Sequence, residues 1–272
     1  MGDSLGVPQR TLETIAYLAR SESRVRILKI LAEGPYARNE LEETTGIART
    51  TIDRSINEFE ERGWARRTTD GRYVASPTGE QIITDFQPFV ETMEAILKLG
   101  DLVAWLPTDT LPIDFRHFAD ATIKRPDPAE PTSMASYLTE LLRESSEFHC
   151  LAGVAPPLAF EEAMRDGVVH GDLKTEHVIT DQEYRYLLDD ENRLSRWQEY
   201  IEAGANLYLY DDSVPCNVMV FDNTVIIGNS QAEIGDMFVE IESTNEAVRA
   251  WAHDVIREYK EAAKRLDPEA FR

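Results

Sequence analysis

Three predicted helices follow one another closely near the start of the chain, and a single glycine separates the second from the third. Apolar residues recur at helical spacing from Val25 to Leu31, and Gly34-Pro35 ends this first helix because proline cannot continue the hydrogen-bond ladder. A short helix is predicted over residues 38–45. Gly46 then permits a tight turn into a third helix over residues 49–62. Helices joined in this way pack at a steep angle, which is typical of a helix-turn-helix.

The third helix is amphipathic, and we call it the recognition helix. Ile52, Ile56 and Phe59 fall on one face at a spacing of i, i+4 and i+7, which predicts burial against the other helices. The opposite face carries five polar residues that could contact another molecule: Arg49, Thr50, Asp53, Arg54 and Asn57. A solvated helix face would have the same pattern, so this face alone does not define a function.

A basic hairpin is predicted directly after the recognition helix. Two short segments, residues 64–68 and 72–75, flank Asp70-Gly71, a dipeptide typical of two-residue hairpin turns. The arginines of this segment are Arg66, Arg67 and Arg72. The helices and the hairpin together predict a winged helix-turn-helix domain over residues 1–80, with the hairpin as its wing.

This order of helices, glycines and basic hairpin resembles the winged-helix domains of archaeal transcriptional regulators over about 55 residues. The resemblance implies binding to double-stranded DNA, with the recognition helix reading base edges and the wing contacting phosphates or a narrow minor groove. One position departs from the pattern. Ala48 stands where Ser or Thr commonly caps the recognition helix, so a bond worth about 1 kcal/mol is missing or supplied by another group.

The segment between the winged helix and the second half of the chain combines a long helix with an irregular connection. Residues 82–99 repeat apolar side chains at helical spacing, although Pro88 is expected to kink or break this helix. Residues 100–133 are rich in proline and aspartate, with a short strand predicted over residues 115–123. We therefore assign residues 81–133 to a helical linker and irregular connection.

Strands and helices alternate in the second half, which predicts a mixed α/β domain over residues 134–272. A helix over residues 134–145 opens it, and Asp222-Asn223 predicts a tight hairpin. The remaining elements are strands at 147–154, 176–179, 206–210, 217–221, 224–227 and 236–241, and helices at 157–166, 181–188, 191–203 and 245–266. The fold class is therefore α/β, or α+β for the whole chain.

The second half also resembles a known domain. The succession of ANLYLYDDSVPCNVMVFDNTVIIGNS, GDMFVEIEST and AVRAWAHDVIREY is similar to the middle domain of methanogenesis regulators. This resemblance implies an effector or partner domain without an established catalytic set, and it transfers no ligand residues.

Charge is distributed unevenly along the chain, whose net charge is −22. Residues 1–80 hold 12 basic and 13 acidic residues, whereas residues 81–272 hold 16 basic and 37 acidic ones. Because DNA phosphates repel carboxylates, DNA binding is expected in residues 1–80. Only six of the 28 basic residues are lysine, a composition typical of salt-in haloarchaeal proteins, although an acidic mesophilic protein is the alternative.

Aromatic and basic residues cluster in the second half and suggest a pocket for a small polar or anionic effector. The candidate ligand-binding residues are Tyr184, Arg185, Trp197, Tyr208 and Tyr210. Packing in the core explains most of these aromatic residues equally well.

The sequence HGDLKTEH, beginning at His170, resembles the catalytic loop of kinase-like phosphotransferases, in which Asp172 would be the base and Lys174 would assist on phosphate. His177 stands where that loop carries the asparagine that holds magnesium, and a glycine-rich loop is missing from the sequence. The stretch also lacks the H-x-K spacing of phospholipase-D-like nucleases. A phosphotransferase therefore remains an alternative to a regulator, which ATP turnover would reveal.

Other patterns limit the remaining functions. The five histidines form no metal-binding pattern, the two cysteines, Cys150 and Cys216, form no disulfide framework, and no cofactor is expected. No apolar run approaches about 18 residues, so we expect no membrane span and a cytoplasmic location.

A homodimer is expected because one winged helix reads a half-site. Its contact is predicted on helix 82–99, on helix 245–266, or on both. A regulator that docks a protein instead of sensing a small molecule is a further alternative.

Overall fold

Residues 8–271, apart from 126, 128, 131 and 231–238, are described by the computed structural model. They fall into two units, Met1–Val90 and Glu91–Arg272. The division lies within one long helix, as does the boundary predicted at residue 80.

The first unit has the predicted helix-turn-helix and wing. Its elements are α1 (Gln9–Ala19), α2 (Glu22–Glu33), α3 (Arg38–Thr45), α4 (Arg49–Glu61), β1 (Ala65–Arg67) and β2 (Tyr73–Ala75), followed by α5 (Pro77–Leu99). The apolar face of the recognition helix, α4, is buried as predicted, since Ile52, Ile56 and Phe59 are fully inaccessible. These side chains pack with those of α2 and α3 in one core.

The wing turn differs from the predicted two-residue hairpin. Thr68 N–H donates to the Arg72 carbonyl at 2.8 Å, and Gly71 N–H donates to the Thr68 carbonyl at 3.1 Å, so three residues form the loop. Gly71 has a φ of +87°, the left-handed conformation that closes this kind of turn. The prediction of the hairpin is confirmed, and its turn type was wrong.

Helix α5 continues through Pro88, so of the predicted kink or break the break does not occur. Proline removes one backbone donor from the ladder, but two apolar residues on each side of it are buried. Ile83 and Phe86 belong to the core of the first unit, and Ala95 and Leu99 belong to the core of the second. Burial of these side chains outweighs the loss of one hydrogen bond.

The second unit is built on an eight-stranded mixed sheet in the order β10-β6-β5-β4-β7-β8-β9-β3. Strands β4, β5 and β6 are parallel, and the other neighbouring pairs are antiparallel. The strands are β3 (Thr122–Lys124), β4 (Glu147–Ala152), β5 (Lys174–Thr180), β6 (Asn206–Tyr210), β7 (Cys216–Phe221), β8 (Thr224–Asn229), β9 (Glu240–Ser243) and β10 (Lys264–Arg265). The helices are α6 (Ser133–Glu144), α7 (Leu158–Val169), α8 (Asp181–Leu188), α9 (Glu191–Glu202) and α10 (Glu246–Glu261).

Most predicted elements of this unit are confirmed, with three differences. The segment predicted as a strand over residues 115–123 forms a 3₁₀ helix, Phe115–Phe118, and the short strand β3. The strand predicted over residues 236–241 lies partly outside the described residues, and β9 begins at Glu240. The last helix ends at Glu261 because the chain turns there to add β10 beside β6.

Helices cover both faces of the sheet. One face packs against α10 and the segment that follows α5, and the other packs against α6, α7 and α9. The apolar stripe of α10 is buried in the first of these cores: Val248, Trp251, Ala252, Val255 and Ile256. This stripe is therefore not available for a dimer contact, which was predicted on this helix, on helix 82–99, or on both. Within the described residues, no helix combines the length and the hydrophobicity needed to cross a bilayer.

Candidate nucleic-acid interface

The turn between α3 and α4 fixes the direction of the recognition helix. Gly46 adopts the left-handed conformation with a φ of +67°. The Thr45 hydroxyl donates to the Leu41 carbonyl at 2.6 Å and accepts from the Ile47 N–H at 3.1 Å. Ala48 gives α4 no side-chain cap, and these bonds fasten the preceding turn instead.

The polar face of α4 is accessible where the sequence predicted it. Arg49, Thr50, Arg54 and Asn57 are exposed, and Asp53 is half-buried. Arg49 has no ion-pair partner among the described residues. Its guanidinium group is therefore available at the first position of the helix.

Arg38, at the first position of α3, reaches across to α4 and was missed by the sequence reasoning. Its Nη1 lies 3.0 Å from Asp53 Oδ1, and its Nη2 donates to Asn57 Oδ1 at 3.1 Å. The guanidinium carbon also lies 5.0 Å from the centre of the Tyr73 ring in β2. One side chain thus contacts α4 and the wing.

Arg54 is also held by a neighbour. Its Nε donates to Glu58 at 2.9 Å, and Glu58 further accepts from the Tyr17 hydroxyl at 2.6 Å and from Arg24 at 3.2 Å. The Tyr17 hydrogen bond and the nearby guanidinium groups lower the pKa of Glu58, whereas burial raises the pKa of Tyr17 to about 12. Arg54 would have to leave a carboxylate that stays ionised in order to reach a ligand.

The three wing arginines differ in how many hydrogen bonds and ion pairs hold their guanidinium groups. Arg66 and Arg67 are exposed on β1. Arg67 Nε donates only to the Gly71 carbonyl at 3.4 Å, and Arg66 has no ion-pair partner among the described residues. Arg72 pairs with Glu40 of α3 at 3.0 Å and with Asp70 at 3.6 Å. Arg49 and Arg66 are therefore the least committed basic groups of the predicted interface.

The five predicted ligand residues of the second unit do not share a pocket. Trp197 is only 2% exposed in the core beside α7, and Tyr184 packs at the same face of the sheet, where its hydroxyl donates to the Ala270 carbonyl at 2.8 Å. Tyr208 and Tyr210 pack against α10 on the opposite face. Arg185 is exposed and pairs with Asp181 at 2.6 Å. The sequence could not separate the two faces of the sheet.

A buried carboxylate explains the arginines near Trp197. Glu161 of α7 is 2% exposed and lies 3.2 Å from Arg196 and 3.4 Å from Arg193, both in α9. Burial raises the pKa of Glu161, and the two guanidinium groups oppose that shift. This ion-pair cluster fastens α7 to α9, which is a structural role.

The HGDLK stretch borders an open cleft of about 450 Å³ at the edge where β4, β5 and β6 begin. Asp172 and Lys174 line this cleft with Glu147, Glu176 and Asn206. His177, which stands at the metal-holding position of a kinase loop, is buried elsewhere, and its Nε2 lies 3.1 Å from the Tyr200 hydroxyl. Burial lowers the pKa of His177 to about 3, so the ring is neutral.

Cys150 and Cys216 are free thiols in different cores, and burial raises the pKa of both, that of Cys216 to about 12. In the part of the chain that the structure describes, no group of three or more His, Cys, Asp or Glu side chains could hold a metal ion.

Comparison with known proteins gives two domain matches. Residues 12–98 match the HVO_A0261 N-terminal domain, and residues 131–262 match the middle domain of the methanogenesis regulatory protein FilR1. No curated protein sequence matches the chain.

Several solved structures are similar at low identity. The archaeal chromatin protein TrmBL2 is 17% identical, with a TM-score of 0.42 over 94% of this chain and 98% of its own. Nuc, a phospholipase D family member from Salmonella typhimurium, is 11% identical, with a TM-score of 0.43 over 54% of this chain and 99% of its own. These overall similarities are weak, so the assignment depends on the domain matches. The chain thus joins a segment that matches the HVO_A0261 N-terminal domain to a segment that matches the middle domain of the methanogenesis regulatory protein FilR1.

Proposed function

We propose that this protein is a transcriptional regulator that binds double-stranded DNA through α4 and the wing. The observation that carries the proposal is the pair of exposed guanidinium groups at Arg49 and Arg66, which have no ion-pair partner among the described residues. They lie in the near-neutral part of a chain whose net charge is −22. The two regulator-type domain matches support the same function.

The two arginines are expected to act differently. Arg49 begins α4, so in a major-groove complex its guanidinium group would face base edges, where arginine pairs with guanine O6 and N7. Arg66 lies on the wing, where contacts to phosphate position the protein without reading sequence. Thr50 and Arg67 would add contacts of the same two kinds.

Selection from a randomised duplex pool, followed by binding titrations over a range of KCl concentrations, tests this proposal. Arg49→Ala should relax the preference at one base position by about 1–3 kcal/mol. Arg66→Ala should weaken binding to all sequences alike and reduce the slope of log affinity against log salt by about one. Arg257→Ala is the matched control, because Arg257 is an exposed arginine of α10.

Two results would contradict the proposal. The first is that the wild-type protein enriches no sequence. The second is that Arg257→Ala reduces the affinity for DNA as much as Arg49→Ala and Arg66→Ala do. The first result rejects specific DNA binding, and the second rejects the assignment of binding to the first unit.

We further propose that the regulator is a homodimer and that it is adapted to high salt.

We also propose that the second unit binds an effector. The cleft of about 450 Å³ beside Asp172 and Lys174 is a better candidate for a small polar ligand than the dispersed aromatic residues. A ligand that binds the folded state raises the melting temperature, so a metabolite panel in a thermal-shift assay distinguishes an effector-binding unit from a protein-docking one.

A further inference from the structure

Arg38 connects three elements of the first unit through a single side chain. It begins α3, its guanidinium group contacts Asp53 and Asn57 on α4, and the same group lies 5.0 Å from the centre of the Tyr73 ring in β2. Asp53 and Asn57 are four residues apart and therefore adjacent on the polar face of α4. Tyr73 is itself fixed, because its N–H and carbonyl pair with those of Tyr36 at 2.8 Å each.

The contact with Asn57 determines which atoms of its amide group face outward. A guanidinium group has only donors, so it can be met only by the amide oxygen, Oδ1. The Nδ2 group of Asn57 is then left to face solvent or DNA with its two donors. An asparagine that reads adenine needs both its oxygen and its nitrogen directed at the base, which the hydrogen bond to Arg38 disfavours.

The contact with Asp53 offsets a charge that would oppose DNA binding. A carboxylate on the recognition helix repels phosphate, and the guanidinium group at 3.0 Å neutralises it. Arg38 itself is poorly placed for a direct contact with DNA. Its side chain is 30% exposed, and its Nε is buried without a hydrogen-bond partner among the described residues.

We infer that Arg38 is a positioning residue that sets the base preference of the recognition helix. It holds the Asn57 amide with its donors outward, so that this position selects a base with acceptors, such as guanine, and rejects the paired contact to adenine. It also neutralises Asp53, so that α4 can approach the groove. This inference depends on the proposed DNA binding and adds a residue from outside the recognition helix to its specificity.

The test compares the sequences that the wild-type protein and its variants select from a randomised duplex pool. Arg38→Met frees the Asn57 amide and leaves Asp53 unpaired. We expect adenine to be enriched about tenfold at the one position that Asn57→Ala relaxes, together with a general loss of affinity. Adding Asp53→Asn to Arg38→Met should restore the affinity and leave the altered preference, because it removes the unpaired charge.

Further variants keep the test independent of folding. Arg38→Lys keeps a positive charge beside Asp53, but one ammonium group lacks the planar fork that serves two acceptors. It should retain most of the affinity and show the altered preference, and it decides the question if Arg38→Met does not fold. Arg26→Met is the matched control, since Arg26 donates to the Thr45 carbonyl at 3.0 Å and makes no hydrogen bond or ion pair with α4 among the described residues.

The outcomes separate this inference from the proposed function. If the wild-type protein selects no sequence, both fail. If the wild-type protein selects a sequence and the Arg38 variants select the same sequence, only the proposed role of Arg38 fails. A uniform loss of affinity with a salt slope lower by about one would mean that Arg38 contacts phosphate directly, which also overturns the inference.

Discussion

Glu240 is a buried carboxylic acid whose pKa is raised into the neutral range. It is 4% exposed on β9, and its Oε2 has no hydrogen-bond partner among the described residues. Burial raises its pKa to about 7, the Lys124 ammonium group opposes the shift, and the Glu242 carboxylate adds to it. The folded protein therefore keeps a proton that the unfolded chain loses near pH 4.5.

This difference predicts a pH dependence of stability. A raised acidic pKa means that the folded state binds the proton more tightly, so the contribution is fully present below about pH 4.5 and is lost as the pH rises to about 7. Glu240→Gln should be more stable than wild type above pH 7 by up to about 3 kcal/mol. Urea unfolding at several pH values measures this. The variant Glu140→Gln, which removes an exposed carboxylate of α6, is the control, and equal pH profiles for wild type and Glu240→Gln would contradict the assignment.

The contacts that organise the predicted interface were visible in the sequence only as residue types. Spacing placed Arg49, Thr50, Asp53, Arg54 and Asn57 on one helix face, because helical periodicity is a local property. The partner of Asp53 and Asn57 comes from α3, and the hydroxyl that holds Glu58 comes from α1. Such pairs depend on how the helices pack, which periodicity does not encode.

At the scale of elements, α5 leaves an apolar face uncovered. Phe89 is 50% exposed, Met93 is 40% exposed and Leu97 is 76% exposed, at a spacing of i, i+4 and i+8. Two other apolar residues of α5 are covered, since Phe86 is buried in the core of the first unit and Ile96 is half-buried. The uncovered face supports the proposed homodimer through α5, because water-exposed apolar side chains gain from pairing.

The dimer proposal predicts the effect of charges on this face. Phe89→Glu combined with Leu97→Glu should convert a dimer to a folded monomer, because a carboxylate is costly to bury. Light scattering in molar KCl at micromolar protein measures the mass. Leu12→Glu combined with Ile15→Glu is the matched control on the exposed apolar residues of α1. A monomeric wild-type protein, or dissociation only by the α1 pair, would rule out this contact.

Element types were more predictable than their ends and faces. The strands β4 to β8 and the helices α6 to α9 follow the predicted alternation because apolar periodicity and turn residues are strong local signals. The hairpin at Asp222 is confirmed, and its φ of +44° is the left-handed conformation that such a turn requires. The continuity of α5 at Pro88 and the strand β10 were not predicted, because the packing of α5 and the pairing of β10 with β6 are long-range effects.

At the scale of the whole molecule, the acidic charge is concentrated beyond residue 80, where acidic residues outnumber basic ones by 37 to 16. Mutual repulsion of these carboxylates destabilises the folded chain at low salt. Molar salt shortens the screening length to about 3 Å and removes most of that repulsion.

We therefore expect the melting temperature to rise as KCl increases from about 0.1 M, where charges are screened weakly, to molar concentrations. Replacing three exposed acidic residues should reduce this gain, because fewer charges then need screening: Glu140→Gln, Asp189→Asn and Glu258→Gln. Calorimetry over a KCl series measures both effects. A melting temperature that is independent of KCl, or equally salt-dependent in the triple variant, would contradict halophilic adaptation.

The outermost strands of the sheet determine how the protein would behave in molar salt. Proteins in dilute buffer can keep sheet edges apart by charge repulsion, but screening makes this protection weak in molar salt. Here β10 has two residues and β3 has three, so each edge offers few unpaired backbone groups to a neighbouring molecule. Without β10, the five residues of β6 would become the edge and a template for intermolecular strand addition. In molar salt, where charge repulsion is screened, the short length of β10 would thus limit intermolecular strand addition.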